Sequence, residues 1–150
     1  MKALVLLGAV LVLTACSDST TSGGGTTTPS GVFTRSVSNP VDGNETIWLA
    51  FEGGRGARLQ TRSDASGKEN RGLTCFDYEA TGTKLKLTLR KQVASSGGAT
   101  TTSDLNRIVE HDASMSIDGS KVDANEFLEE GRYEYRRDTK SAAEIRSDCK

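Results

Sequence analysis

Hydrophobic and polar positions divide this chain into three stretches of different character. Lys2 is followed by an apolar run over residues 3–13 that only Gly8 interrupts. A run of that length is too short to cross a hydrocarbon layer of about 30 Å as a permanent helix, and it has the charged flank and apolar centre of a secretory signal. Residues 17–31 are then Ser, Thr and Gly, broken only by Asp18 and Pro29. Such a stretch has nothing to bury against the entropy of ordering, so it reads as a disordered tether. From Val32 onward the alternation has period two, the spacing of half-buried strands.

Ile47, Leu49 and Phe51 alternate with Trp48 and Ala50, and Gly53 and Gly54 follow as a turn. Ala57, Leu59 and Thr61 against Arg58, Gln60 and Arg62 predict a return strand with the arginines on its polar face. A polar loop is expected over residues 63–71. Strands are expected over 73–80 and 83–91 around Thr81 and Gly82, the second with Leu85, Leu87 and Leu89 inward and Lys84, Lys86, Thr88 and Arg90 outward. Residues 94–103 are so poor in apolar side chains that they predict another loop. Extended segments follow over 105–110 and 114–117, with Asp118 and Gly119 as a tight turn before 121–124. Residues 125–130 read as a helical turn or a strand end. A last strand spans 132–137, with Tyr133 and Tyr135 alternating with charged residues, and the tail carries helical potential around 142–145.

Seven or eight short strands joined by hairpin turns, with no long amphipathic helix, predict an all-β domain: a small antiparallel barrel or sandwich. The alternation over residues 46–137, following the segments described above, resembles the small lipocalin-like barrels of bacterial lipoproteins. The end of the apolar run carries a sharper resemblance. Leu13, Thr14, Ala15 and Cys16 match the lipobox of those lipoproteins, in which small residues admit the signal peptidase and the cysteine thiol takes diacylglycerol. The resemblance implies a signal peptide over 1–15, lipid attachment at Cys16, a tether over 16–31 and one β domain over 32–150. It also implies an envelope location held by acyl chains. Ser17, where the related rule for inner-membrane retention would require Asp, points to the outer membrane.

Composition narrows the chemistry. Lys and Arg number 19 against 20 Asp and Glu, which argues against a nucleic-acid partner. One histidine and no Cys-x-x-Cys pair leave few ways to build a metal or nucleophile site, and no cofactor is expected. His111 lies between Glu110 and Asp112, but the Gly-x-Ser-x-Gly elbow of a hydrolase is absent, so His111 is expected to be solvated beside a turn. Asp77 and Glu79 share a strand face, as do Lys84, Lys86 and Arg90, which with Arg58 and Arg62 form a candidate basic surface.

With Cys16 assigned to lipid, Cys75 and Cys149 remain, and in an oxidising compartment a disulfide between them is the economical expectation. Two free thiols or an intermolecular bridge are the alternatives. Trp48, Phe76, Tyr78, Tyr133 and Tyr135 are candidates to line a barrel mouth that takes a small apolar ligand. The resulting expectation is a noncatalytic lipoprotein, held on the membrane through Cys16, whose barrel binds a small ligand or an envelope protein. The alternative is a structural or assembly accessory that uses an exposed strand edge and has no ligand cavity.

Overall fold

A computed structural model describes residues 28–39, 43–82, 84–116, 119–125 and 131–150. Within it eight antiparallel strands close into a barrel in sequence order. They are β1 (Gly31–Asn39), β2 (Gly43–Glu52), β3 (Arg55–Ser63), β4 (Glu69–Thr81), β5 (Lys84–Ser96), β6 (Ala99–Met115), β7 (Lys121–Asn125) and β8 (Arg132–Arg137); a short helix, α1 (Ala142–Ile145), follows. Cys16, the apolar run, most of the Ser/Thr/Gly stretch and residues 126–130 lie outside the described residues.

The inner face is packed by side chains that strand alternation brings to one side. Phe33, Ile47, Leu49, Phe51, Phe76, Leu87, Val122 and Tyr135 form one buried cluster. The rings of Phe51 and Phe76 meet edge to face at 6.1 Å, and Phe51 also meets Tyr78 at 5.3 Å. Gly56 faces Phe76 across the ladder, and a Cβ there would fall 2.2 Å from the Phe76 ring, so this position has room only for glycine.

Apolar side chains also occupy the outer face of the same wall. Val32, Ala50, Ala57, Leu59, Leu73, Cys75 and Val93 form a second buried cluster with Ala142 and Ile145 of α1, and Trp48 and Cys149 pack at its margin. The C-terminal segment is therefore a cover laid over β2 to β5. Ser141 and Glu144 form a capping box that starts the helix, and the Cys75–Cys149 disulfide ties its far side to β4. Trp48 Nε1 donates to Asp138 and Arg71 donates to Asp148, adding polar fastenings along the strap.

Two expectations are corrected, and one strand carries a feature that its pattern does not announce. Arg58 is not outward: it stands opposite Leu49 on the barrel's inner face and is only 2% exposed. The strap explains the inversion, because it gives Ala57 and Leu59 an apolar partner outside and leaves the polar side of β3 pointing inward. There Arg58 donates to Gln60, which donates to Glu45, satisfying side chains that burial would otherwise penalise. Residues 94–103 are not a loop. They complete β5 and β6 around Gly97 and Gly98, whose φ values of 58° and 86° make a two-residue primed turn like the one at Gly53 and Gly54. The strand alternation of β5 also reverses midway: Phe76 faces Leu89 but Cys75 faces Lys91, so Arg90 is the extra residue of a bulge. Beyond it Val93, rather than an even-numbered residue, joins Leu73 beneath the strap.

The packed body starts ahead of Val32. Pro29 is buried at the end of the barrel where the chain enters, and its carbonyl accepts from the Tyr78 hydroxyl at 3.3 Å. Removing residues 1–27 should leave stability unchanged, whereas removing residues 1–30 should cost about 1–2 kcal/mol through lost burial and the lost hydrogen bond. Denaturant titration of the two truncations distinguishes them. In the same assay Cys149→Ser should lower stability by roughly 4 kcal/mol if the cross-link acts by chain entropy, with the far-UV strand signal retained because the barrel ladder does not depend on the bond.

Candidate functional site

The five aromatic candidates do not form one mouth. Trp48 lies on the outer face, under the strap, with the Lys140 ammonium 5.9 Å from its ring. Phe76, Tyr78, Tyr133 and Tyr135 belong to the inner cluster or pack against it. Phe76 and Tyr78 are consumed by contacts with Phe51, and Tyr135 is fully buried. Tyr133 is nearer the far end, where the Arg35 guanidinium sits 3.8 Å above its ring. These rings are wall-to-wall packing, and alternation alone separates Trp48 from the other four.

His111 likewise departs from expectation. It faces Leu85 across β5 and β6 and shares the inner side with Ala113, and its Nε2 atom is buried. Glu110 and Asp112 are its neighbours in sequence and so point to the opposite side of the strand. Asp112 accepts from Lys84 at 2.7 Å, and that bond holds its carboxyl below the usual carboxylate range. A relay from His111 to either carboxylate is thus excluded by the strand's period, and the arrangement carries no general-base pair.

The candidate basic surface is neutralised across the ladder. Arg90 pairs with Asp77 at 2.7 Å, Lys86 with Glu79 at 3.9 Å and Lys84 with Asp112. Each carboxylate sits on the strand beside its cation, so the outer face of β4, β5 and β6 is a ribbon of alternating charge. Arg58 is absent from it, being inside. Exposed pairs of this kind fix register more than they stabilise.

What the outer surface offers instead is an edge. β6 runs from Ala99 to Met115, yet β7 pairs only with Ala113, Ser114 and Met115. Among the described residues, no strand lies beside 99–110 on the side away from β5. Ile108, 59% exposed and the most exposed large apolar residue among the described residues, is on this stretch. The edge extends toward the Gly97 and Gly98 turn, at the end of the barrel opposite Pro29. Sequence reading missed it because residues 100–104 are all polar; the available signal was the Gly-Gly pair in a stretch rich in Ser and Thr, a hairpin turn in β-forming company.

No family model, no curated protein and no solved structure matches the chain. Among the described residues no helix is long and apolar enough to cross a membrane.

Tyr78 supplies a pH test of the plugged end. Burial pushes its hydroxyl above the ordinary tyrosine value, opposed in part by the hydrogen bond to the Gly54 backbone. A folded-state pKa above the unfolded one means that the neutral form is favoured by folding, so its contribution is complete below the unfolded pKa and is lost as pH rises through the folded one. Spectrophotometric titration should show tyrosine absorbance rising above the ordinary tyrosine range, and Tyr78→Phe should reduce that late-rising part.

Proposed function

We propose that this chain is a noncatalytic, lipid-anchored protein of the cell envelope that receives an extended strand of an envelope partner along β6. The anchor rests on the Lys2 flank, the short apolar run and the lipobox ending at Cys16, with Ser17 favouring the outer membrane. The observation that carries the partner reading is the length mismatch between β6 and β7, which among the described residues leaves 99–110 with no strand on the side away from β5. Open main-chain donors and acceptors supply affinity in strand addition, and side chains such as Ile108 supply selectivity. The stretch contains neither proline nor lysine, two residues that blunt such edges.

Position supports this division of labour. The chain enters the barrel at Pro29, so the tether emerges at one end while the β5–β6 turn stands at the other. A tether of some twelve residues has a root-mean-square reach of roughly 20 Å, enough to hold the domain clear of lipid headgroups. A cavity for a small apolar ligand is the weaker alternative, because the inward rings are packed on one another.

Photo-crosslinking in the intact envelope tests both halves. A photoreactive residue at Thr102 or Ile108 should give a discrete protein adduct, and one at Lys86, inside a paired strand, should not. Thr102→Lys should suppress the Ile108 adduct, and Cys16→Ser should move the protein from the membrane to the soluble fraction without unfolding it. Equal adducts from Thr102 and Lys86 would overturn the edge reading; a lipid-modified Cys16→Ser protein would overturn the anchor.

A further inference from the structure

A second feature of the outer wall lies on other elements. Arg55 at the start of β3, Asp77 on β4, Arg90 at the β5 bulge and Arg146 just past α1 surround a recess of about 190 Å³ whose lining includes both cysteines of the disulfide. Three guanidinium groups and one carboxylate, Asp77, line the recess, and a second carboxylate, Glu52, lies beside Arg146 and across the ladder from Arg55. Arg90 Nε donates to Asp77 at 2.7 Å, and Arg146 Nη1 reaches Glu52 only at 3.4 Å. The Nε–H of Arg146 is buried with no acceptor, and Arg55 has no ion pair among the described residues. A buried charged donor left without an acceptor is uncommon in folded proteins and calls for an explanation.

We propose that this recess is a binding site for a phosphate group, either free or on a lipid headgroup. Guanidinium forks match oxyanions, and arginines from three separate elements suit a tetrahedral anion that presents oxygens in several directions. A planar carboxylate is already matched by one fork, as Asp77 is by Arg90. Arg90 lies at the bulge, on the outward side that it shares with Asp77, to which it donates. The strap contributes Arg146, and the disulfide keeps the strap in place. Arg55 follows the Gly53 and Gly54 turn at the same end of the barrel as Pro29, which puts the recess on the side from which the tether leaves. The inference concerns β3 to β5 and the strap, so it is independent of the β6 edge.

The test follows arginine Nε–H resonances by NMR in the full chain carrying Cys16→Ser, which removes any acyl group. Arg55→Gln and Arg146→Lys assign the two signals. Inorganic phosphate and monomeric dihexanoyl phosphatidic acid are titrated separately at constant ionic strength, with chloride as the control anion. The expected result is a saturable downfield shift of the Arg146 Nε–H signal, with affinity lowered about fivefold or more by Arg55→Gln. Arg55 is exposed, so that variant keeps its fold and remains informative even if Arg146→Lys loosens the strap. Tighter binding of the short-chain lipid identifies a headgroup site, and equal or tighter binding of inorganic phosphate identifies a free-anion site. A linear drift matched by chloride, or saturation that Arg55→Gln leaves unchanged, would overturn the proposal.

Discussion

A wall of strands with apolar side chains on both faces needs two covers, and the placement of nearly every other group follows from how the second is supplied. The barrel interior covers Ile47, Leu49 and Phe51. Trp48, Ala50, Ala57, Leu59 and Leu73, on the other side, are covered by a segment with only Ala142 and Ile145 to offer as buried apolar residues. Those two side chains bury too little to hold twelve residues against chain entropy. The Cys75–Cys149 bond, the Ser141 and Glu144 capping box and the Trp48–Asp138 hydrogen bond make up the difference.

With the apolar side of β3 committed to the strap, its polar side has to be accommodated inside. The chain from Arg58 through Gln60 to Glu45 does this by hydrogen bonds rather than exclusion. It also makes register costly to change. A one-residue slip of β3 would turn Arg58 into the strap interface and Leu59 toward Gln60's present surroundings, so the polar chain and the strap specify the same pairing from opposite faces.

How much of this was legible depended on whether one strand could be understood without its neighbours. The β5 alternation of Leu85, Leu87 and Leu89 against Lys84 and Lys86 is a local property, and the fold class, barrel closure aside, followed from several such segments. The face of Arg58 was not local, because it depended on Ala142 and Ile145 of a strap far along the chain. His111 was misjudged for a related reason: its two flanking carboxylates made the segment look solvated, although alternation sends neighbours to opposite sides. The polar hairpin around Gly97 and Gly98 lacked the apolar signature used to recognise strands, since its stability comes from the β4 and β5 ladders rather than from a core of its own. The neutral outer ribbon could be read as basic only while β5 was viewed without the carboxylates of β4 and β6. The inward rings, for their part, looked like a ligand mouth only until Phe51 was placed among them.

The route by which the chain enters the barrel also sets its mechanical behaviour. Tension along the segment leading to Pro29 acts along the axis of β1. That strand pairs with β2 at nine positions from Gly31 to Asn39 but with β8 only at Phe33 and Thr34. A pull from this end therefore loads the β1–β2 ladder in shear, with its hydrogen bonds sharing the force together, while the short β1–β8 seam is the first to part. The barrel would open along one predefined line and leave the strapped face of β2 to β5 intact.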